Sequence, residues 1–152
     1  MYRFLVTLPV LGCAPPPAVE IAVEDTGAPP PSVLIVHPEP DATVKLSDDC
    51  LLDTIVAVDI DNFELTTPDP TNVEPGKGHW HLILRDDGTY TPVSAQSAKI
   101  AAAGFTPNTI VRIRATLQAS DHSDLDMFPD WEDFVEIFIM DNDAGSCADT
   151  GT

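Results

Sequence analysis

The chain predicts an all-β domain, and three observations carry that prediction. Aliphatic residues recur at every second position in several short segments, the period of a strand with one buried face. An Asp-Gly pair, Asp87-Gly88, separates two β-rich runs as a hairpin turn does. Fifteen Pro and eight Gly among 152 residues cut the chain into pieces too short for long helices.

Each element follows from its own residues. Val33 to Val36 is a compact aliphatic run that stops at His37-Pro38. Ala42 to Leu46 alternates, with Val44 and Leu46 on one side. Thr54 to Leu65 is the longest strand signal, placing Val56, Val58 and Ile60 on one face and Asp59 and Asp61 on the other. Gly78 to Arg85 follows, then the turn Asp86-Asp87-Gly88-Thr89-Tyr90. Tyr90 to Val93 is the returning strand, interrupted by Pro92, which cannot donate a ladder hydrogen bond. Thr109 to Leu117 sends Val111, Ile113, Ala115 and Leu117 inward and Arg112 and Arg114 outward. Phe134 to Met140 closes the set, with Val135, Ile137 and Ile139 on one face. Only Ser94 to Gly104 reads as helical. It holds good helix formers before a terminal Gly, one or two turns that cross between sheets. About seven short strands at this spacing, within residues 32–140, predict a single immunoglobulin-like antiparallel β-sandwich.

Charge excludes whole classes of partner. Seven Lys and Arg stand against 25 Asp and Glu, a formal charge of -18. Such a surface repels a phosphate backbone, so the sequence predicts no nucleic-acid partner. It equally repels anionic lipid headgroups. The apolar fraction of 43% is too high for a disordered acidic chain.

The N-terminus reads as an export signal. Arg3 precedes a short apolar run from Phe4 to Gly12, and Gly12 stands directly before Cys13. With Val10 and Leu11 upstream, this resembles the bacterial lipobox. The resemblance implies a signal peptide at 1–12 and a lipid-carrying Cys13, whose acyl chains would enter a bilayer. Ala14 after the Cys, where Asp is absent, implies the outer membrane by the same analogy. Residues 14–31 include two proline triplets. Such runs stay extended, so residues 13–31 form a tether. Polar residues 141–152 form a tail.

With Cys13 lipidated, Cys50 and Cys147 remain. An exported compartment permits disulfides, and two leftover thiols make one natural pair. Cys50 precedes a strand and Cys147 follows the last one, so their bridge clamps an edge or end of the sandwich.

Chemistry-bearing residues are few. His79 and His81 flank Trp80 in Gly78-His79-Trp80-His81-Leu82, and residues i and i+2 of a strand share a face. Two imidazoles there can hold one metal ion, and His122 at the end of a neighbouring strand would supply a third nitrogen. Imidazole suits copper and zinc, and three protein ligands leave an open position. Asp121 would orient a ligand His by accepting a hydrogen bond. The competing reading makes His79 and His81 polar-face residues opposite a core of Trp80, Leu82 and Leu84, and His122 an ordinary loop residue.

The run Pro75-Gly76-Lys77-Gly78-His79-Trp80-His81-Leu82-Ile83-Leu84 resembles the Gly-His-x-His-apolar signature of a family of exported bacterial β-sandwich domains of unknown function. His37-Pro38-Glu39-Pro40-Asp41-Ala42 takes the place of that family's opening turn, with Asp41-Ala42 where Gly is commoner. Asp121-His122 takes the place of its later His. The resemblance spans roughly residues 32–140. The His-x-His strand is also similar to that of copper-zinc superoxide dismutases, but their remaining ligand pattern is missing, and their activity is not carried over.

Calcium is the weaker alternative. Asp59-Ile60-Asp61-Asn62 and Asp141-Asn142-Asp143 are oxygen-rich, yet neither follows an EF-hand loop. Asp124, Asp126, Asp130, Glu132 and Asp133 crowd one loop without a visible cleft for a sugar. Phe128 and Trp131 in that loop read as a plug under the sandwich, with a recognition patch as the alternative. The sequence shows no GxSxG, HExxH or CxxC, so it predicts no enzyme. It predicts an envelope binding module holding copper or zinc at His79, His81 and His122. Its alternative is a metal-free module that meets an envelope protein through acidic loops or a sheet edge.

Overall fold

A computed structural model describes residues 29–85, 87–143 and 147. The segment read as an export signal, the Cys13 read as a lipid carrier, and most of the expected tether and tail lie outside the described residues. The described chain is all-β. Its strands are β1 (Ser32–His37), β2 (Thr43–Lys45), β3 (Leu52–Asp61), β4 (Glu64–Leu65), β5 (Lys77–Ile83), β6 (Thr91–Val93), β7 (Ser97–Ala102), β8 (Thr109–Ala119) and β9 (Glu132–Met140).

Two sheets enclose one core. The smaller has the order β1-β3-β7, and the larger β2-β9-β8-β5-β4, with β6 pairing the hairpin side of β5. The alternation read from sequence decides which residues meet between the sheets. Val33, Ile35, Val56, Val58 and Ile100 come from the smaller sheet, and Trp80, Leu82, Ile113, Leu117, Ile137 and Ile139 from the larger. Each such side chain contributes roughly 1.5–3 kcal/mol on leaving water. Trp80 is wholly buried, and its indole N–H donates to the Ala95 carbonyl at 2.7 Å. A buried indole donor without such a partner would be destabilising. The carboxylate of Asp133 ties the layers together by accepting from the Ile35 amide at 2.8 Å.

Two expectations are corrected. The segment read as helical, Ser94 to Gly104, contains β7 instead, antiparallel to β3 from Leu52↔Ala102 to Ala57↔Ser97. Ala98, Ile100 and Ala102 point inward at period 2, and pairing with β3 outweighs the helix propensity of Ala and Lys. The strand read over Thr54 to Leu65 is broken. β3 ends at Asp61, Asn62 adopts φ +57°, and Glu64–Leu65 joins the other sheet beside β5. Asn tolerates that left-handed conformation better than most residues.

Cys50 and Cys147 form a disulfide across a sequence separation of 97. It fastens the start of β3 to the segment after β9, at an end of the sandwich. Cys147 is buried in the core, and its amide donates to Asp141. A disulfide fits an oxidising, exported environment.

Candidate metal centre

The same alternation that buries Trp80 and Leu82 sends His79 and His81 to the opposite face of the larger sheet. There β5 runs antiparallel to β8 with His79 opposite Gln118, His81 opposite Thr116 and Ile83 opposite Arg114. Gly78 is what lets the strands close up at this point. A Cβ on it would collide with the carbonyl oxygen of Gln118 and come within 2.9 Å of the Phe63 ring.

His122 reaches the pair through the turn that leaves β8. The His122 amide donates to Ala119, and the Ala119 amide donates to Ser123, both at 3.0 Å. This turn places a left-handed residue, usually Gly, at its last position. Here that residue is His122, with φ +66°. Asp121 shapes the turn: its Oδ1 accepts from the amide and hydroxyl of Ser123 at 3.0 and 2.6 Å. Those two hydrogen bonds, the hydroxyl's first, hold its carboxyl below the ordinary range. The expected hydrogen bond from a His ring to Asp121 is therefore replaced by a loop-forming role.

The three rings converge. His79 Nε2 lies 3.0 Å from His81 Nε2 and 3.2 Å from His122 Nδ1, and the last two are 3.1 Å apart. His79 is fully buried and His81 nearly so, while His122 is exposed at the rim. Both rings lie opposite Trp80 and Leu82, as the competing reading also has them, and both are buried. Burial first, and then neighbouring histidines, push His79 and His81 down to about 4. Both rings are thus neutral at pH 7 and each carries a lone pair.

Hydrogen bonding alone cannot satisfy this triangle. Each converging nitrogen presents either a hydrogen or a lone pair, so at least two of the three are alike. The edge joining those two is repulsive. A single cation removes the conflict by accepting all three lone pairs. With metal–nitrogen distances of about 2.0–2.1 Å, an ion would sit about 1 Å above the plane of the nitrogens, with N–metal–N angles of about 100°. The three residues could therefore bind a metal in a facial arrangement with its outer side open.

Further residues complete the surroundings. Tyr90 stacks on His81, with ring centroids 3.9 Å apart and planes 13° from parallel. Gln118 is buried and donates to Asp124 at 2.9 Å. A depression of about 390 Å³ opens beside the tripod, bordered by His81, His122, Tyr90, Arg114 and Trp131. Trp131 and Phe128 are half-buried and lie outside the core, so the plug read from sequence is not formed. Thr116, Gln118 and Arg114 could have been placed here from sequence, because they continue the outward series set by Arg112. Tyr90 left no such signal.

The other candidates do not converge. Among the described residues, His79, His81 and His122 are the one set whose ligand atoms approach a common point. His37 lies exposed at the end of β1. Asp59 and Asp61 are exposed, Asp141 accepts from the amides of Asn142 and Cys147, and Asp143 pairs with Lys45 at 2.6 Å.

No protein-family model, curated protein or solved structure matches the chain.

Proposed function

We propose that this protein is a non-enzymatic metal-binding module of the cell envelope, holding copper or zinc through His79, His81 and His122. One observation carries the reading: three imidazole nitrogens stand 3.0–3.2 Å apart, two of the rings being buried. Imidazole nitrogen is a good ligand for both metals, and the arrangement favours neither by charge. The rings come from a paired strand and a hydrogen-bonded turn, so the site is held by the fold before any ion arrives.

The remaining parts of the proposal rest on sequence. The Gly12-Cys13 resemblance supports lipid anchoring, and the Cys50–Cys147 bridge is consistent with export. The strand orders β1-β3-β7 and β9-β8-β5 support the immunoglobulin-like type, whose sheets carry strands in the corresponding sequence. The signature around His79 and His81 supports kinship with the exported β-sandwich domains.

Calorimetric titration of the purified protein with Zn(II) and Cu(II) tests the reading. One-to-one binding that is lost in His79→Ala/His81→Ala supports it. Binding no tighter in the wild type than in that double variant overturns it.

A further inference from the structure

The three nitrogens would hold an ion from one side only, and a depression bordered by two of the three rings, His81 and His122, lies beside them. The charge there is unusual for this chain. Lys45, Lys77, Lys99 and Arg112 all sit in ion pairs with carboxylates. Arg85 donates to the Ala103 carbonyl and lies over the Phe105 ring. Arg114 makes no side-chain hydrogen bond or ion pair among the described residues, and its Nε is buried without a partner. Among the described residues of this protein of net charge -18, Arg114 is the one Lys or Arg side chain with neither an ion pair nor a hydrogen bond.

Its position relates it to the tripod. Arg114 is two residues from Thr116 on β8, and Thr116 lies opposite His81. Two residues of strand correspond to about 7 Å, within reach of an extended arginine side chain. Arg114 borders the same depression as His81 and His122. Two carboxylates also border it. Asp124 is held by Gln118, and Glu132 stands opposite Thr116 on β9. They set an upper limit on the charge the pocket tolerates and so favour a small anion over a polyanion.

We propose that the open side of the metal site binds a small oxyanion, a carboxylate or inorganic phosphate, with one oxygen on the ion and another on the Arg114 guanidinium. Planar guanidinium matches two-oxygen groups, and the ion supplies the second positive centre. This rests on the metal-binding reading and adds the class of ligand to it.

The test uses the protein loaded with Co(II), whose visible bands report changes in coordination. Acetate and, separately, phosphate are titrated into wild type, Arg114→Gln and Arg114→Lys. Metal affinity is measured first for all three. The proposal expects equal metal affinity within about twofold. It expects a saturable spectral change with at least one anion, weakened tenfold or more in Arg114→Gln and partly restored in Arg114→Lys. The anion with the larger Arg114 dependence identifies the ligand as carboxylate or phosphate. Metal binding with no anion response, or an anion response equal in wild type and Arg114→Gln, overturns the anion site and leaves the metal site standing. Failure of the protein to bind Co(II) or Zn(II) overturns both.

Discussion

His122→Gly separates a ligand from a structural residue because the two roles predict opposite signs. His122 occupies a left-handed conformation, φ +66°, which a residue with a Cβ adopts at roughly 1–2 kcal/mol. Glycine removes that strain but frees the unfolded chain, which returns roughly 0.4–1 kcal/mol. The ring is exposed and surrenders little burial. The metal-free variant is therefore expected to be as stable as wild type or up to about 1 kcal/mol more stable. Metal reverses the order. At a free concentration a hundred times Kd, an ion adds about 2.7 kcal/mol to wild type. That corresponds to roughly 10 °C in Tm for a domain of about 110 residues. If losing one of three nitrogens weakens binding about a hundredfold, the same concentration adds only about 0.4 kcal/mol to the variant. Thermal unfolding with and without Zn(II) reads both quantities. A metal-free variant destabilised by more than about 1 kcal/mol would show that the ring is a packing element. An undiminished Zn(II) shift would show that His122 is not a ligand.

Three further outcomes are expected. Gly78→Ala drives a methyl into the Gln118 carbonyl and should destabilise by more than the roughly 1–3 kcal/mol of ordinary overpacking, with metal affinity falling because His79 is displaced; urea melts and Zn(II) titration check this. The metal-free protein should lose stability as pH falls from 6.5 to about 4. In that window the unfolded histidines take up protons that folded His79 and His81 refuse, by at most about 3 kcal/mol per ring, and a His79→Gln/His81→Gln variant should flatten the profile. Cys50→Ser with Cys147→Ser opens a loop of 97 residues and should lower stability by up to about 4–5 kcal/mol, measured against the oxidised wild type by denaturant unfolding.

Most of the sandwich was legible because its strands have one wet and one dry face. Val135, Ile137 and Ile139 alternate, and all three are buried. β7 was not legible, because Ser97–Ala102 is rich in residues that favour helices and becomes a strand only by pairing with β3. The switch of β4 between sheets was equally hidden, since a turn at Asn62 changes direction without changing composition. At the site, the strand period was enough to bring His79 and His81 together. The arrival of His122 depends on a turn whose left-handed residue is normally Gly. The lack of an ion partner at Arg114 is a property of its neighbours in space, which no local pattern records. The role of Gly78 is similar, for only the approach of β8 and Phe63 shows why a side chain is excluded there.

The coordination shell of the loaded protein shows whether His79, His81 and His122 hold the ion. X-ray absorption at the zinc edge, on protein carrying one equivalent of Zn(II), counts ligands and identifies imidazole by its outer-shell scattering. Metal binding by the three histidines predicts three imidazole nitrogens at about 2.0–2.1 Å with one or more further oxygen or nitrogen ligands on the open side. A shell of oxygen atoms alone, or one unchanged in His79→Ala/His81→Ala, would contradict it.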